Sequence, residues 1–177
     1  MIFKMSGNTK ITIITLNVNE MNSPIQQKSI AEWIKNQKPI LCCLQETHMR
    51  QVDTHRVKIK GWNKIFWAST EKRKAGVAIL ISDKVKVNID LIKRDRKSNY
   101  ILIKGCIDNE EISVLNMYAP NGIASKFLKE KLAELEEGID SNIILVGGLN
   151  LLLSDLDKSK QKINKKEIRE VNKLEKN

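Results

Sequence analysis

Four apolar segments of this chain end in residues of the types that bind metal ions and phosphate groups. In chain order, these terminal residues are Asn17, Gln45-Glu46-Thr47, Tyr118 and Asn150. In sheets built from parallel units, polar residues just beyond the carboxyl ends of the strands gather in one crevice. We therefore expect these side chains to form a single site.

Glu46 is the best single candidate for a ligand of a hard metal ion. It directly follows a wholly apolar run, where a carboxylate is costly unless it meets a cation. The same residue would equally well cap the following loop, and spacing alone does not separate these two interpretations. Zinc is disfavoured because the Cys and His residues lack the spacing of a tetrahedral site. A P-loop is excluded because Val146-Gly147-Gly148 lacks the downstream Gly-Lys-Ser/Thr.

The composition is that of one basic globular domain. The chain has 177 residues, and its 31 Lys+Arg against 21 Asp+Glu give a net charge of +10 with the histidines neutral. Apolar residues at 41% and charged residues at 29% exclude wholesale disorder, collagen-like repeats and a coiled-coil rod. The positive charge favours a polyanionic partner, with nucleic acid first, although a merely solubilising surface explains it equally well before any motif is considered.

No apolar run approaches the length of a membrane span, and the amino terminus turns polar at Lys4 before a signal-peptide core forms. We therefore expect a soluble, intracellular protein without a membrane partner. We also expect a monomer, located in the nucleus, the cytoplasm or both. Cys42 and Cys43 are adjacent on a predicted strand and Cys106 stands alone, which predicts reduced, mostly buried thiols.

The first part of the chain predicts a strand, a helix and a second strand. The run from Lys10 to Asn17 is rich in β-branched residues and ends in Asn, as a strand entering a loop does. Ser23-Pro24 followed by Gln26 is typical of a helix start, and this helix is predicted to end at about Gln37. Ile40 to Leu44 then predicts a central strand covered on both faces. This order forms a βαβ unit with parallel strands.

The same arrangement returns later in the chain. Ile112 to Tyr118 predicts a strand. Ser125 is predicted to cap a helix that stops at Gly138. Asn142 to Val146 predicts a further buried strand.

Short strand-like runs separated by charged or Gly-containing turns lie between the two units. They are Trp62 to Ala68, Ala75 to Ser82, Val85 to Ile92 and Asn99 to Cys106. They leave no room for helices, so we expect them to be antiparallel. Two βαβ units that flank such a meander predict an α/β fold in which mixed sheets are layered as a sandwich.

The composition changes after Leu153, where basic residues crowd a segment with few large apolar side chains. Asn164 and Glu167 have the spacing of a capping box and predict a marginal helix in this segment.

The residues at the strand ends belong to an ordered series of motifs. The series is Thr15-Leu16-Asn17, Leu44-Gln45-Glu46-Thr47-His48, Gly76-Val77-Ala78-Ile79-Leu80, Leu115-Asn116-Met117-Tyr118-Ala119-Pro120-Asn121 and Val146-Gly147-Gly148-Leu149-Asn150. It resembles the motif series of the endonuclease/exonuclease/phosphatase superfamily. Within that superfamily the closest likeness is to the apurinic-endonuclease-like (exonuclease III-like) domain of LINE-class retrotransposon polyproteins. Five motifs in the right order make the resemblance specific, whereas any one of them would be weak.

The resemblance implies a DNase I-like fold, which is a four-layer αββα sandwich. It implies a Mg²⁺-dependent phosphodiesterase that nicks DNA to leave a 3′-hydroxyl for reverse transcription, within a reverse-transcriptase polyprotein. It divides the chain into an extension (1–9), a partial catalytic domain (10–154) and a basic tail with a predicted helix (155–177).

The resemblance also implies a role for individual residues. Glu46 would bind Mg²⁺, or Mn²⁺ in its place, and Asn17 would help to hold the metal and the phosphate. Tyr118 would hydrogen-bond the scissile phosphate, Asn150 would orient it, and Asn121 would contact the substrate. These roles make chemical sense because a metal and several donors stabilise the charge that develops on the phosphoryl group.

The chain departs from the family pattern at two places. The family has Gly-Asp-x-Asn where this chain has Gly147-Gly148-Leu149-Asn150, so the carboxylate that positions the attacking water is missing. The family's later motifs, including an Asp-His pair, would lie beyond Asn177, and we do not expect His48 or His55 to replace them. The resemblance therefore predicts an incomplete, truncated sandwich that binds Mg²⁺ weakly and is catalytically inactive.

Three hypotheses for the function remain. The first is an endonuclease by descent with residual or no activity. The second is a non-catalytic module that binds nucleic acid through cations in turns, and the third is a decayed element product without a function. The cations of the second hypothesis are Lys72, Arg73, Lys74, Lys93, Arg94, Arg96 and Lys97.

Overall fold

The computed structural model describes residues 2–4, 10–120, 124–135 and 143–148. The strands are β1 (Ile2–Lys4), β2 (Lys10–Asn17), β3 (Leu41–Gln45), β4 (Lys64–Ala68), β5 (Val77–Ile81), β6 (Val87–Arg94), β7 (Tyr100–Ile107), β8 (Glu110–Tyr118) and β9 (Ile143–Gly148). The α-helices are α1 (Pro24–Gln37) and α2 (Ala124–Leu135), and a 3-10 helix spans Gln51–Arg56.

The described strands form two mixed sheets. The first has the order β1-β2-β3-β5-β4 and the second has the order β6-β7-β8-β9. The β2/β3 and β8/β9 pairs are parallel, which confirms both predicted βαβ units. The β4/β5 and β6/β7 pairs are antiparallel, as predicted for the meander, but β4 and β5 lie in the first sheet and β6 and β7 in the second. The β1/β2, β3/β5 and β7/β8 pairs are also antiparallel.

Buried apolar side chains form three clusters that define the layers. One cluster lies between the sheets, with members from β2, β3 and β5 on one side and from β7, β8 and β9 on the other. A second joins Ile34 of α1 to Leu44 on the outer face of the first sheet. A third joins Leu128 of α2 to Leu115 on the outer face of the second sheet. The helix-sheet-sheet-helix order confirms the predicted αββα sandwich.

The start of α1 is the predicted capping box. Ser23 Oγ accepts a hydrogen bond from the Gln26 amide at 3.2 Å, and the Gln26 side chain accepts one from the Ser23 amide at 3.0 Å. The helix ends at Gln37 because Lys38 adopts a left-handed conformation with φ 51°. These two ends return the chain from the carboxyl end of β2 to the start of β3.

The structure corrects the sequence predictions at several places. Ser125 is not a cap, because α2 already begins at Ala124 and Ser125 falls in its first turn. Trp62 precedes β4 rather than starting it, and its indole Nε1 donates to Pro39 O at 2.9 Å. Two elements were not predicted, namely the 3-10 helix and β1, which pairs with β2. The predictions for Gly138 and for residues 155–177 lie outside the described residues.

The thiols of Cys42 and Cys43 are buried and unpaired, and Cys106 is partly buried and unpaired. Burial raises the pKa of Cys42 to about 12 and raises the pKa of Cys43 well above its ordinary value. The prediction of mostly buried thiols is confirmed. In the described ranges, neither α-helix has the length and apolarity needed to cross a membrane.

Candidate functional site

The predicted site residues of the described ranges lie at one edge of the sandwich. Asn17 and Gln45 are Cα partners at the carboxyl ends of β2 and β3. Tyr118 and Gly148 are Cα partners at the carboxyl ends of β8 and β9. Gln45 Nε2 donates to Asn116 Oδ1 at 2.8 Å, so the two pairs belong to the same edge. This edge between the sheets is called the crevice below.

Asn116 connects the two sheets at the crevice. It is fully buried, and its Nδ2 donates to Leu44 O at 3.0 Å and to Ala78 O at 2.9 Å. The Gln45 amide that meets its oxygen also donates to Thr15 Oγ1 at 2.9 Å. Because each of these buried groups has a partner, the network fixes the last residues of β3 against β8.

Glu46 lies one residue beyond β3, with a left-handed backbone of φ 52°. Its carbonyl accepts from the Glu20 amide at 2.8 Å, and the next amide, of Thr47, donates to Gly76 O at 3.1 Å. Among the described residues, none donates a hydrogen bond to the Glu46 carboxylate, so backbone contacts hold the loop. The loop-capping interpretation of Glu46 is therefore disfavoured, and its half-buried carboxylate is available to a ligand.

Gly76 is the residue that lets the β4–β5 loop approach the Glu46 loop. Its φ is +100°, and a Cβ at this position would lie 2.4 Å from Thr47 Oγ1. Its amide donates to Ser98 O in the β6–β7 turn at 3.1 Å. Gly76 therefore joins three loops at the crevice.

The remaining predicted residues stand at different depths. Asn17 is exposed, and its Oδ1 accepts from the Asn19 amide at 2.9 Å. Tyr118 is half-buried against the core between the sheets, and its amide donates to Asn99 O at 2.7 Å. Asn121 and Asn150 lie outside the described residues.

The two glycines at the end of β9 differ in how much space they have. A Cβ on Gly147 would lie 1.9 Å from Met117 O, and its φ is +132°. A Cβ on Gly148 would lie 3.0 Å from Tyr118 Cδ2. The backbone therefore requires a glycine at 147, whereas among the described residues a Cβ at 148 would meet the Tyr118 ring at the crevice.

The donors that the described residues supply to the crevice do not fit a resident divalent ion. Within the described ranges, no three Asp, Glu, His or Cys residues come together as a metal site. Glu46 contributes one carboxylate, and the amide oxygen of Asn17 already accepts a hydrogen bond. An ion held by so few ligands would keep most of its water and exchange readily.

The two histidines differ in their distance from the strand ends, because His48 belongs to the Glu46 loop and His55 does not. His55 is exposed on the 3-10 helix. His48 follows Thr47, and its backbone amide donates to Ala75 O at 2.8 Å. Their predicted lack of a catalytic role stays a prediction.

Cations from three neighbouring segments stand beside the crevice, and we call them the basic rim. Its members are Arg50, Arg56, Lys72, Arg73, Lys74, Lys93, Arg94, Arg96 and Lys97. Two hydrogen bonds join these segments. The Gln51 amide donates to Thr70 O at 2.9 Å, and Arg94 Nε donates to Trp67 O at 2.6 Å. The cations named in the sequence analysis all belong to this rim.

Two carboxylates organise the rim. Asp53 binds Arg50 at 2.7 Å and Arg56 at 3.4 Å, and the hydrogen bond from Arg50 lowers the pKa of Asp53. Asp95 accepts from the Asn99 amide at 3.0 Å and lies 3.5 Å from Lys131 Nζ. Burial opposes the charge of Lys131, but its hydrogen bond to Glu134 and the nearby charges raise its pKa. The β6–β7 turn is thus fastened to α2.

Sequence reasoning included Thr15 and Asn116 in the motif series but gave them no role, and it missed the Asp95–Lys131 ion pair. Asn116 carried a usable signal, because a lone amide among the apolar residues of a predicted core strand must find partners. The ion pair carried none, since its members are far apart in the chain and resemble ordinary surface charges.

A sequence profile of the Endonuclease/Exonuclease/phosphatase family matches residues 14–172. The chain belongs to this family. The match includes the second half of β2, all of β3, β8 and β9, and every residue of the crevice named above.

Solved structures share the fold at low sequence identity. An AP endonuclease from Archaeoglobus fulgidus has 21% identity and a TM-score of 0.62 over 94% of this chain and 70% of that one. The 3′ phosphatase NExo from Neisseria, bound to a product DNA hairpin, has 22% identity and a TM-score of 0.61 over 93% of this chain and 70% of that one. TDP2 from D. rerio, complexed with a single-strand DNA product, has 14% identity and a TM-score of 0.63 over 84% of this chain and 64% of that one. The chain spans less than two thirds of that TDP2 chain.

Proposed function

We propose that this chain binds DNA along the basic rim and does not cleave it. The observation that supports this proposal best is the junction at Gly76, which sets the rim cations directly beside the Glu46 loop. Membership in a family of nucleases and phosphatases agrees with a phosphate-containing ligand. The NExo and D. rerio TDP2 structures contain product DNA.

The rim is suited to the phosphate backbone rather than to base edges. Lys72, Arg73 and Lys74 are exposed on one loop, and Arg96 and Lys97 are exposed on the turn beside it. Arg50 and Arg56 share Asp53 and contribute less net charge. Binding through such contacts depends on counterion release and does not discriminate among sequences.

At the crevice, Asn17 and Tyr118, with Asn121 and Asn150, are proposed to orient a phosphate. Glu46 and Asn17 are the residues that a divalent ion, Mg²⁺ or Mn²⁺, would contact, and we propose that such binding is loose. The donor set supports this expectation because it offers one carboxylate.

Gly148 is the reason we propose an inactive chain. Hydrolysis of a phosphodiester requires a water molecule that a base activates and holds in line with phosphorus. Position 148 faces the crevice, where the family pattern has an Asp, and a glycine there supplies no base. Donors that act as a unit lose most of their effect when one is removed, so Glu46 alone does not sustain the reaction.

We further propose that the chain derives from the apurinic-endonuclease-like domain of a LINE-class retrotransposon polyprotein. It would act as a monomer in the nucleus or the cytoplasm. The ordered motifs around Asn17, Glu46 and Tyr118 support this origin.

The proposal is tested by fluorescence anisotropy with a labelled DNA duplex. The variant Lys72→Ala/Arg73→Ala/Lys74→Ala should lower the affinity about tenfold or more at low salt, because each lost phosphate contact forgoes counterion release. The matched control is Lys35→Ala/Lys84→Ala/Lys86→Ala, which removes the same charge from exposed positions at the opposite end of the sheets. Equal losses in the two triple variants would show that net charge, and not the rim, holds the DNA.

A further inference from the structure

We infer that this chain binds DNA without a divalent cation, and that Gly148 is the position responsible. The inference rests on the proposed DNA binding and concerns how the crevice meets a phosphate. It follows from the charges around the crevice, from the direction of position 148 and from the lack of a fitting metal site among the described residues.

Negative charge at the crevice is sparse among the described residues. Glu46 is the carboxylate at the strand ends, while Glu20 and Glu71 lie in exposed loops where salt screens them. Asp53 and Asp95 are each paired with cations, at 2.7 Å to Arg50 and 3.5 Å to Lys131. The net charge beside the crevice is therefore determined by the exposed cations of the rim.

Position 148 is where a side chain would change this balance. A Cβ there would stand 3.0 Å from Cδ2 and 3.5 Å from Cε2 of Tyr118. Tyr118 packs against the core between the sheets, so a residue at 148 would extend from β9 into the crevice on that face. The natural glycine adds neither volume nor charge.

A second carboxylate at 148 would repel an incoming phosphate together with Glu46. A negative charge added beside a bound phosphate lowers the affinity by about tenfold at moderate salt. A site with two carboxylates then needs a divalent cation between them and the phosphate. With Gly148, Glu46 is the one carboxylate at the described strand ends, and the phosphate binds directly to the rim cations.

The experiment measures the dissociation constant of a labelled duplex by anisotropy, in EDTA and in MgCl₂ at matched ionic strength. The natural chain should bind equally in both buffers, within about twofold. Gly148→Asp should bind about tenfold more weakly in EDTA and recover with Mg²⁺. Gly148→Asn adds nearly the same volume without charge, so its affinity should be the same in both buffers, whatever its absolute value.

Natural-chain binding that is lost in EDTA would overturn the inference while leaving DNA binding intact. Equal behaviour of Gly148→Asp and Gly148→Asn would overturn the role of charge at 148. If the natural chain binds DNA in neither EDTA nor MgCl₂, the proposed function and this inference are overturned together. If both substitutions prevent folding, as judged by circular dichroism, Glu46→Gln decides: it should bind at least as tightly as the natural chain in EDTA, and weaker binding would contradict the inference.

Discussion

Asn116 determines, at the scale of a single residue, how the two sheets meet at the crevice. It is fully buried, and its amide nitrogen serves two carbonyls, of Leu44 on β3 and Ala78 on β5. Its oxygen receives the Gln45 amide. A hydrophobic side chain of similar size would fill the space but would leave these partners without their hydrogen bonds.

We predict that Asn116→Leu lowers the free energy of unfolding by about 2–4 kcal/mol, because buried polar groups lose their hydrogen bonds. The measurement is urea unfolding followed by tryptophan fluorescence. Asn36→Leu, the same substitution at an exposed position of α1, serves as the control and should change stability by less than about 0.5 kcal/mol. A loss at Asn116 as small as that of the control would show that the network does not hold the sheets.

Glu46 gives a second prediction at this scale. With one carboxylate and an amide oxygen already in use, the chain should bind Mg²⁺ with a dissociation constant of about a millimolar or weaker. Isothermal titration calorimetry measures this directly. Micromolar binding that disappears in Glu46→Gln would contradict the account of the crevice.

At the scale of elements, Gly76 and Gly61 offer a matched pair. Their φ angles are +100° and +97°, but a Cβ on Gly76 would collide with Thr47 Oγ1 at 2.4 Å, whereas a Cβ on Gly61 would meet nothing within 4 Å. Both alanine substitutions therefore share the cost of a left-handed backbone, about 1–2 kcal/mol. The difference between them isolates the contact between the β4–β5 loop and the Glu46 loop.

We predict that Gly76→Ala destabilises the protein by about 1–3 kcal/mol more than Gly61→Ala, because overpacking adds to the shared backbone cost. Thermal unfolding by circular dichroism, together with urea titration, measures both variants. Equal destabilisation would mean that the loops separate without cost and that Gly76 does not position Glu46.

The elements were predictable where the signals are local. The capping box at Ser23 and the apolar run of β3 each lie within a few residues, and both are confirmed. The 3-10 helix has no apolar periodicity to reveal it, and a Ser in a first turn, such as Ser125, resembles a cap. The contact between Gly76 and Ser98 joins separate segments, so only the folded chain shows it.

At the scale of the whole molecule, the chain carries a net charge of +10, and the described residues include a group of cations beside the crevice. The sheets end in the crevice, and the loops that leave these ends carry the basic rim. The Asp95–Lys131 ion pair fastens one of these loops to α2. The sequence analysis placed all of its candidate cations in turns, which is wrong for Lys93 and Arg94, because these two residues end β6. Only the fold shows that the segments carrying the cations lie side by side.

We predict that DNA binding is independent of sequence and falls steeply with salt, because it depends on Lys and Arg displacing counterions. A plot of log affinity against log salt concentration should be linear, with a slope that shrinks by about one for each rim contact removed. Competition between a duplex and its scrambled counterpart checks the first part. Marked discrimination at physiological salt would show that some element of the chain reads bases.

The most direct test of the central claim is a gel of supercoiled plasmid incubated with the protein and Mg²⁺, with half of each sample freed of protein before loading. The account predicts retarded plasmid in the untreated half and no nicked circles in the other half. It predicts the same absence of nicking for Gly148→Asp, because restoring one member of a catalytic unit recovers little. Nicked circles that require Mg²⁺ and disappear in Glu46→Gln would contradict the claim that this chain binds DNA without cleaving it.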